Sequence, residues 1–149
     1  MSEIVAQAQQ LGLAGVAFTD HVEWIPEDEA FGYLDPATYF AELEHLRARY
    51  KGALTLLAGI EVGSPHRFLA ETKNLLRAWP WDFVIGSAHW VDGLAGWQPV
   101  AFETGLEAAY ERYFQELVLL TRDGEYDVLG HLDIVRRDSW ALFQNFLPL

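Results

Sequence analysis

Apolar positions along this chain follow two alternating rhythms, one helical and one of short unbroken runs. The segment SEIVAQAQQLG puts Ile4, Val5, Ala8 and Leu11 on one helical face, with Ser2 placed to cap it and Gly12 to end it. AGVAF, 14–18, is a short apolar run that stops on Thr19, Asp20 and His21, and reads as a buried strand. DPATYFAELEHLRARYKG predicts a helix with Asp35 at the N-cap and Pro36 in the first turn. Its stripe is Tyr39, Phe40, Leu43, Leu46 and Tyr50, and Gly52 closes it. LTLLAGI, 54–60, predicts the second strand, and SPHRFLAETKNLLRAW a helix started by Ser64 and Pro65. DFVIGSA, 82–88, predicts the third strand. TGLEAAYERYFQELVLLTRDG predicts a helix opened by a Thr104–Glu107 capping box and stopped at Gly124. YDVLGHLDI, 126–134, predicts a fourth strand, and DSWALFQNFLPL begins another helix.

Helices that alternate with continuous apolar strands predict an α/β fold, with βα units around a parallel sheet that is open or closed into a barrel. Residues 1–149 read as one domain without linker or repeat. The order begins with a helix that should follow a strand, and it ends in an unfinished one. Four strands do not close a βα barrel, which takes about eight. The expectation is an open sheet, or a piece of something larger.

Composition narrows the classes. The chain has 149 residues, enough to bury roughly 70% of its unfolded surface, and 51% apolar residues with 14% aromatics argue against disorder. No cysteine is present, so disulfides and thiolate ligands are excluded and a reducing, cytoplasmic setting is compatible. No basic start followed by an apolar run reads as a signal peptide, and no apolar run approaches the roughly 20 residues that span a bilayer. The net charge of −12 opposes binding to nucleic acid and to anionic membranes. A phosphate-ester ligand would need local cations, and metal ions are one source.

The candidate chemistry lies where the strands end. Asp20 and His21 follow the first strand, Glu61 the second, His89 the third, and His131 and Asp133 come at the fourth. Parallel strands end on one face, so three imidazoles and a carboxylate converge on one rim. That donor set, without thiols, suits Zn, Mn or Fe better than Ca or Mg. Asp20 is placed to support His21 from behind. Asp133, two residues past His131 on an extended strand, is a ligand or a supporting partner. Each residue alone has an ordinary reading as a turn, cap or structural hydrogen bond, and only the four-strand coincidence carries the case. His45 reads as exposed and His66 as a structural residue in a helix's first turn. Ser87 lacks the partners of a hydrolase triad, and neither GxGxxG nor GxxxxGK occurs. Trp24, Trp90 and Trp97 follow strands and pack loops or wall a pocket. Arg136 and Arg137 reach a substrate phosphate or stay solvated.

Read together, GVAFTDH, LLAGIEV, DFVIGSAHWVDG and DVLGHLDIVRR resemble the PHP (polymerase and histidinol phosphatase) family, and most of all its histidinol-phosphatase branch. The resemblance covers residues 11–137. It implies a distorted (β/α)7 barrel, two or three Zn, Mn or Fe ions, and hydrolysis of a small phosphorylated substrate, L-histidinol phosphate. It implies that His21, Glu61, His89 and His131 are metal ligands, with Glu61 bridging two ions. The family's opening His-x-His strand and closing Asp-x-His strand have no counterpart here, so the expectation is a partial barrel lacking its first and C-terminal strands. Such a chain is expected to hold one metal weakly, to turn over little substrate, and to self-associate through exposed strand edges. A non-enzymatic remnant is the competing reading, and a polymerase-associated PHP exonuclease is disfavoured by the acidic charge.

Overall fold

The computed structural model describes residues 1–96, 98, 103 and 105–137. Among these, four parallel strands form one sheet in chain order: β1 (Gly15–Val22), β2 (Thr55–Gly63), β3 (Phe83–Ser87) and β6 (Val128–Leu129). Helices α1 (Ser2–Gln10), α2 (Pro36–Arg49), α3 (Leu69–Ala78) and α4 (Leu106–Asp123) connect or flank them. A small antiparallel hairpin, β4 (Trp90–Val91) with β5 (Leu94–Ala95), follows β3. The predicted parallel βα architecture is therefore present.

The second helix shows why the sequence folds this way. Asp35 accepts from the Ala37 amide at 3.1 Å and from the Thr38 hydroxyl at 2.6 Å, and Pro36 fills the first turn, where no amide donor is needed. Gly52 closes the turn with φ of +78°, a conformation that favours glycine. The stripe Tyr39, Phe40, Leu43 and Leu46 is buried against Phe18, Leu56 and Ala58. Further along β2, Ile60 and Val62 pack with Val84 and, from α3, Leu75 and Leu76. Even-numbered residues of β2 thus face the helices. Odd-numbered ones, including Glu61, face the other side of the sheet, where Leu57 and Val128 are exposed.

Several expectations need correction. The first two strands run on past their apolar runs, so His21 and Glu61 lie within them as directly paired neighbours. Ladder hydrogen bonds with a parallel partner hold polar residues in β geometry, which apolar pattern alone does not reveal. Ser2 is the first helical residue and Met1 the cap, whose ammonium pairs with Glu42 at 3.1 Å. Only Val5 and Ala8 of the predicted α1 face are buried; Ile4 and Leu11 are exposed. Helix α3 begins at Leu69, because Ser64 adopts φ of +47° and Ser64–Arg67 close a turn. The fourth strand has two residues, not nine. Asp133 therefore lies beyond it, leading into a 3-10 turn (Ile134–Arg136). The hairpin was not predicted, although Asp92 and Gly93, both at positive φ, are a recognised hairpin signal. The Thr104 cap, Trp97 and the helix over 138–149 lie outside the described residues.

Candidate metal centre

Parallel pairing sets the rim of the sheet. His21 pairs with Glu61 in the β1–β2 register, so the two side chains leave the same face. Asp20 pairs with Ile60 and faces the helices, where its charge, with burial, pushes the Tyr39 hydroxyl up to about 12. No hydrogen bond or ion pair joins Asp20 to His21 among the described residues. The expectation that Asp20 supports His21 from behind fails because neighbouring residues on a strand point to opposite faces.

The four candidate ligands do come together. Glu61 Oε1 lies 3.2 Å from His89 Nε2 and 3.5 Å from His131 Nε2, and Glu61 Oε2 lies 3.7 Å from His21 Nε2. His89 Nε2 and His131 Nε2 are 3.1 Å apart. Donor atoms of His21, Glu61 and His89 all fall within 4.8 Å of one another. Two nitrogens bound to one tetrahedral ion at about 2.0 Å stand about 3.3 Å apart, so the donors have metal-site spacing. The Ser87 hydroxyl donates to Glu61 Oε1 at 2.7 Å, and Gly130 leaves the room it needs, since a Cβ there would overlap the Ser87 Oγ.

One participant escaped the sequence reading. Glu23 is 5% exposed and accepts a hydrogen bond from His89 Nδ1 at 2.5 Å, with His21 Nδ1 at 3.9 Å. Its signal was the HVE spacing. Once β1 is extended to Val22, residues 21 and 23 share a face.

The electrostatics match a cation site. Burial would push the Glu61 carboxyl up, but hydrogen bonds from His131, His89 and Ser87 hold it well below the usual carboxylate range. Burial likewise opposes ionisation of Glu23, and His21 and His89 outweigh it and lower its pKa. Burial would lower the His89 pKa, yet Glu23 and Glu61 raise it to about 9. The nearby Glu23 carboxylate raises that of His21. The buried Glu23 and the half-buried Glu61 thus demand positive charge from the imidazoles around them, a demand a divalent ion also meets.

A cleft of about 330 Å³ opens on this cluster, lined by His21, Glu23, His89, Trp90 and Arg137 among others. Trp90 is fixed there by a 2.7 Å hydrogen bond from its indole N–H to Asp28. Arg136 and Asp133 line a neighbouring depression with His131 and Arg137, and the Arg136–Asp133 separation is 3.9 Å. Among the described residues Asp133 makes no hydrogen bond or ion pair with the four candidate ligands. Trp24 packs against Ile60, Val62 and Val84 instead of the cleft. His45 is exposed, as expected. His66 is buried in the turn after β2 and bonds Glu116.

Comparison with known proteins gives a consistent picture. A family model described as "PHP domain" matches residues 1–147. The chain is 29% identical over 136 residues to the histidinol-phosphatase of Lactococcus lactis, covering 89% of this chain and 50% of that protein. It is 27% identical over 143 residues to the Deinococcus radiodurans "Probable histidinol-phosphatase", covering 91% and 55%. The crystal structure of the Lactococcus lactis histidinol phosphate phosphatase complexed with zinc, L-histidinol and phosphate superposes with a TM-score of 0.83 at 28% identity, covering 91% of this chain and 52% of that one. The chain spans about half the length of the curated relatives it matches.

Proposed function

From the premise that the chain belongs to the PHP domain family, we propose that it carries the metal centre of a phosphomonoesterase of the histidinol-phosphatase type, acting on L-histidinol phosphate or a similar small ester. The observation that carries this reading is the convergence of His21, Glu61, His89 and His131 from the four strands of the sheet, with His21 and His89 opening on a cleft that has Arg137 in its wall. Zn, Mn or Fe fits the imidazole–carboxylate set. Bound there, such an ion supplies hydroxide at neutral pH and Lewis-acid stabilisation of phosphoryl oxygens. The four residues would hold it, with Glu61, which all three imidazoles face, at the centre. Arg137 is placed to take a phosphate oxygen, with Arg136 beside it.

Phosphate release from L-histidinol phosphate by the isolated chain, assayed with Zn, Mn and Fe in turn, tests the reading. The expected result is release that depends on added metal and is abolished by a chelator. Less than half an equivalent of bound metal, without turnover, sinks it and leaves the non-enzymatic remnant.

The partners proposed are a small phosphorylated substrate and a second copy of the chain, in a cytoplasmic setting. Among the described residues no helix is long and apolar enough to cross a membrane. Self-association is supported by the outer edge of β1, which pairs with no further strand among the described residues, and by the exposed Ile4, Leu11 and Leu13 beside it. Light scattering should therefore give a mass above that of the monomer and rising with concentration. A constant monomer mass would refute this part.

A further inference from the structure

We propose that Glu23 is a positioning residue whose buried carboxylate fixes the ring orientation of His89, and draws that of His21 the same way, so that both imidazoles present Nε2 to Glu61 at the metal centre. The inference rests on the metal-centre reading above and deepens it.

The polarity of the two rings is the first support. His89 turns Nδ1 to Glu23 at 2.5 Å and Nε2 to Glu61 at 3.2 Å. His21 does the same at longer range, with Nδ1 3.9 Å from Glu23 and Nε2 3.7 Å from Glu61. In the neutral ring the closer carboxylate, Glu23, accepts from His89 Nδ1, which leaves the Nε2 lone pair for a metal. This is the carboxylate–histidine–metal relay, in which the outer carboxylate sets tautomer and ring angle.

The location of the carboxylate is the second support. A buried carboxylate without partners is costly, so a residue at 5% exposure is retained for what it contacts. Its backbone, just beyond β1, is held by a bridge to Phe31. Its head group rests on Gly63 at the end of β2, where a Cβ would overlap all three atoms of the carboxylate group. Gly63 is thus the opening through which Glu23 reaches beneath both rings. Its φ is not in the left-handed region, so it is the space that requires glycine.

Four variants separate this role from general packing. Glu23→Ala should weaken zinc binding about 100-fold and Glu23→Gln about 10-fold, since an amide oxygen still accepts but carries no charge. Glu23→Asp should recover part of the loss. Gly63→Ala, which keeps the carboxylate but displaces it, should weaken zinc to an extent comparable with Glu23→Gln. Zinc affinity is read by competition with a chromogenic chelator, and folding is checked by circular dichroism. Ring state is read independently by long-range 1H–15N NMR. Zinc-loaded wild type should show His89 and His21 protonated at Nδ1.

The NMR arm also works without metal. At a pH high enough for the His89 ring to be neutral, its close contact to Glu23 should hold the wild type in the Nδ1–H tautomer, and Glu23→Ala should show a mixture. If the wild type binds no zinc, the metal-centre reading falls, and this spectrum still decides the part played by Glu23. An Nε2–H tautomer of His89 in the wild type overturns the proposal whether or not any variant folds. Zinc affinity of Glu23→Ala within twofold of wild type overturns it equally.

Discussion

Replacing Glu61 with Gln should lower zinc affinity by at least about 100-fold, roughly 2.8 kcal/mol, with the fold intact. Glu61 is the group all three imidazoles face, at 3.2, 3.5 and 3.7 Å from its two oxygens. Losing a contact one step removed from a metal costs 10–100-fold, so losing the shared anion itself should reach or exceed the top of that range. Gln keeps the shape and can still accept from the Ser87 hydroxyl, which is why the fold should survive. The charge is what disappears. A second readout follows from electrostatics alone. Burial drives the His89 pKa down, and Glu23 and Glu61 together drive it up to about 9. With Glu61 neutralised, the metal-free His89 should titrate well below its wild-type value. Zinc affinity within threefold of wild type, or an unmoved His89 titration, would show that Glu61 is not the centre of the cluster.

Much of this centre was readable before any coordinates. A parallel sheet brings every strand's C-terminal end to one rim, so four polar stops after four apolar runs located the cluster. What the sequence hid depended on geometry finer than element order. Ending β1 at Phe18 concealed the fact that His21 and Glu23 share a face, and adjacency made Asp20 look like the supporting carboxylate. The register settles it, since Asp20 pairs beside Ile60 on the helix side. Asp133 was misplaced because His131–Ile134 alternates polar and apolar residues as a strand does, while β3 is only five residues long and pairs with just two residues of β6. The hairpin was legible in its Asp-Gly turn, but a short apolar loop between longer elements drew no strand prediction. The pairing of His66 with Glu116 spans 50 residues and leaves no local trace.

That last pair carries the second large effect: Glu116→Ala should destabilise the fold by about 3 kcal/mol and lower its melting point by roughly 10 °C. Glu116 is 4% exposed. Its Oε1 takes both His66 Nε2 and Arg67 Nε at 2.7 Å, and its Oε2 takes Arg67 Nη2 at 2.5 Å. This joins α4 to the turn that follows β2, close in sequence to Glu61 and Gly63. Removing the carboxylate leaves a buried imidazole whose Nδ1 already lacks a partner among the described residues. That desolvated ring accounts for most of the loss. Arg67 is 51% exposed on its side chain, so water compensates its share. The sign of the pH dependence follows. Burial would raise the Glu116 pKa, but Arg67 and His66 hold it down to about 2, below the unfolded value near 4.5. Its contribution is therefore complete above pH 4.5 and fades as pH falls from there toward 2. Urea unfolding at pH 7, 5 and 3 should show wild type losing stability across that window. Glu116→Gln, which keeps the shape without a titrating group, should start lower at pH 7 and lose less on acidification. A Gln variant within 0.5 kcal/mol of wild type at pH 7, an allowance on the order of a surface substitution, would mean that the turn after β2 is held by packing alone.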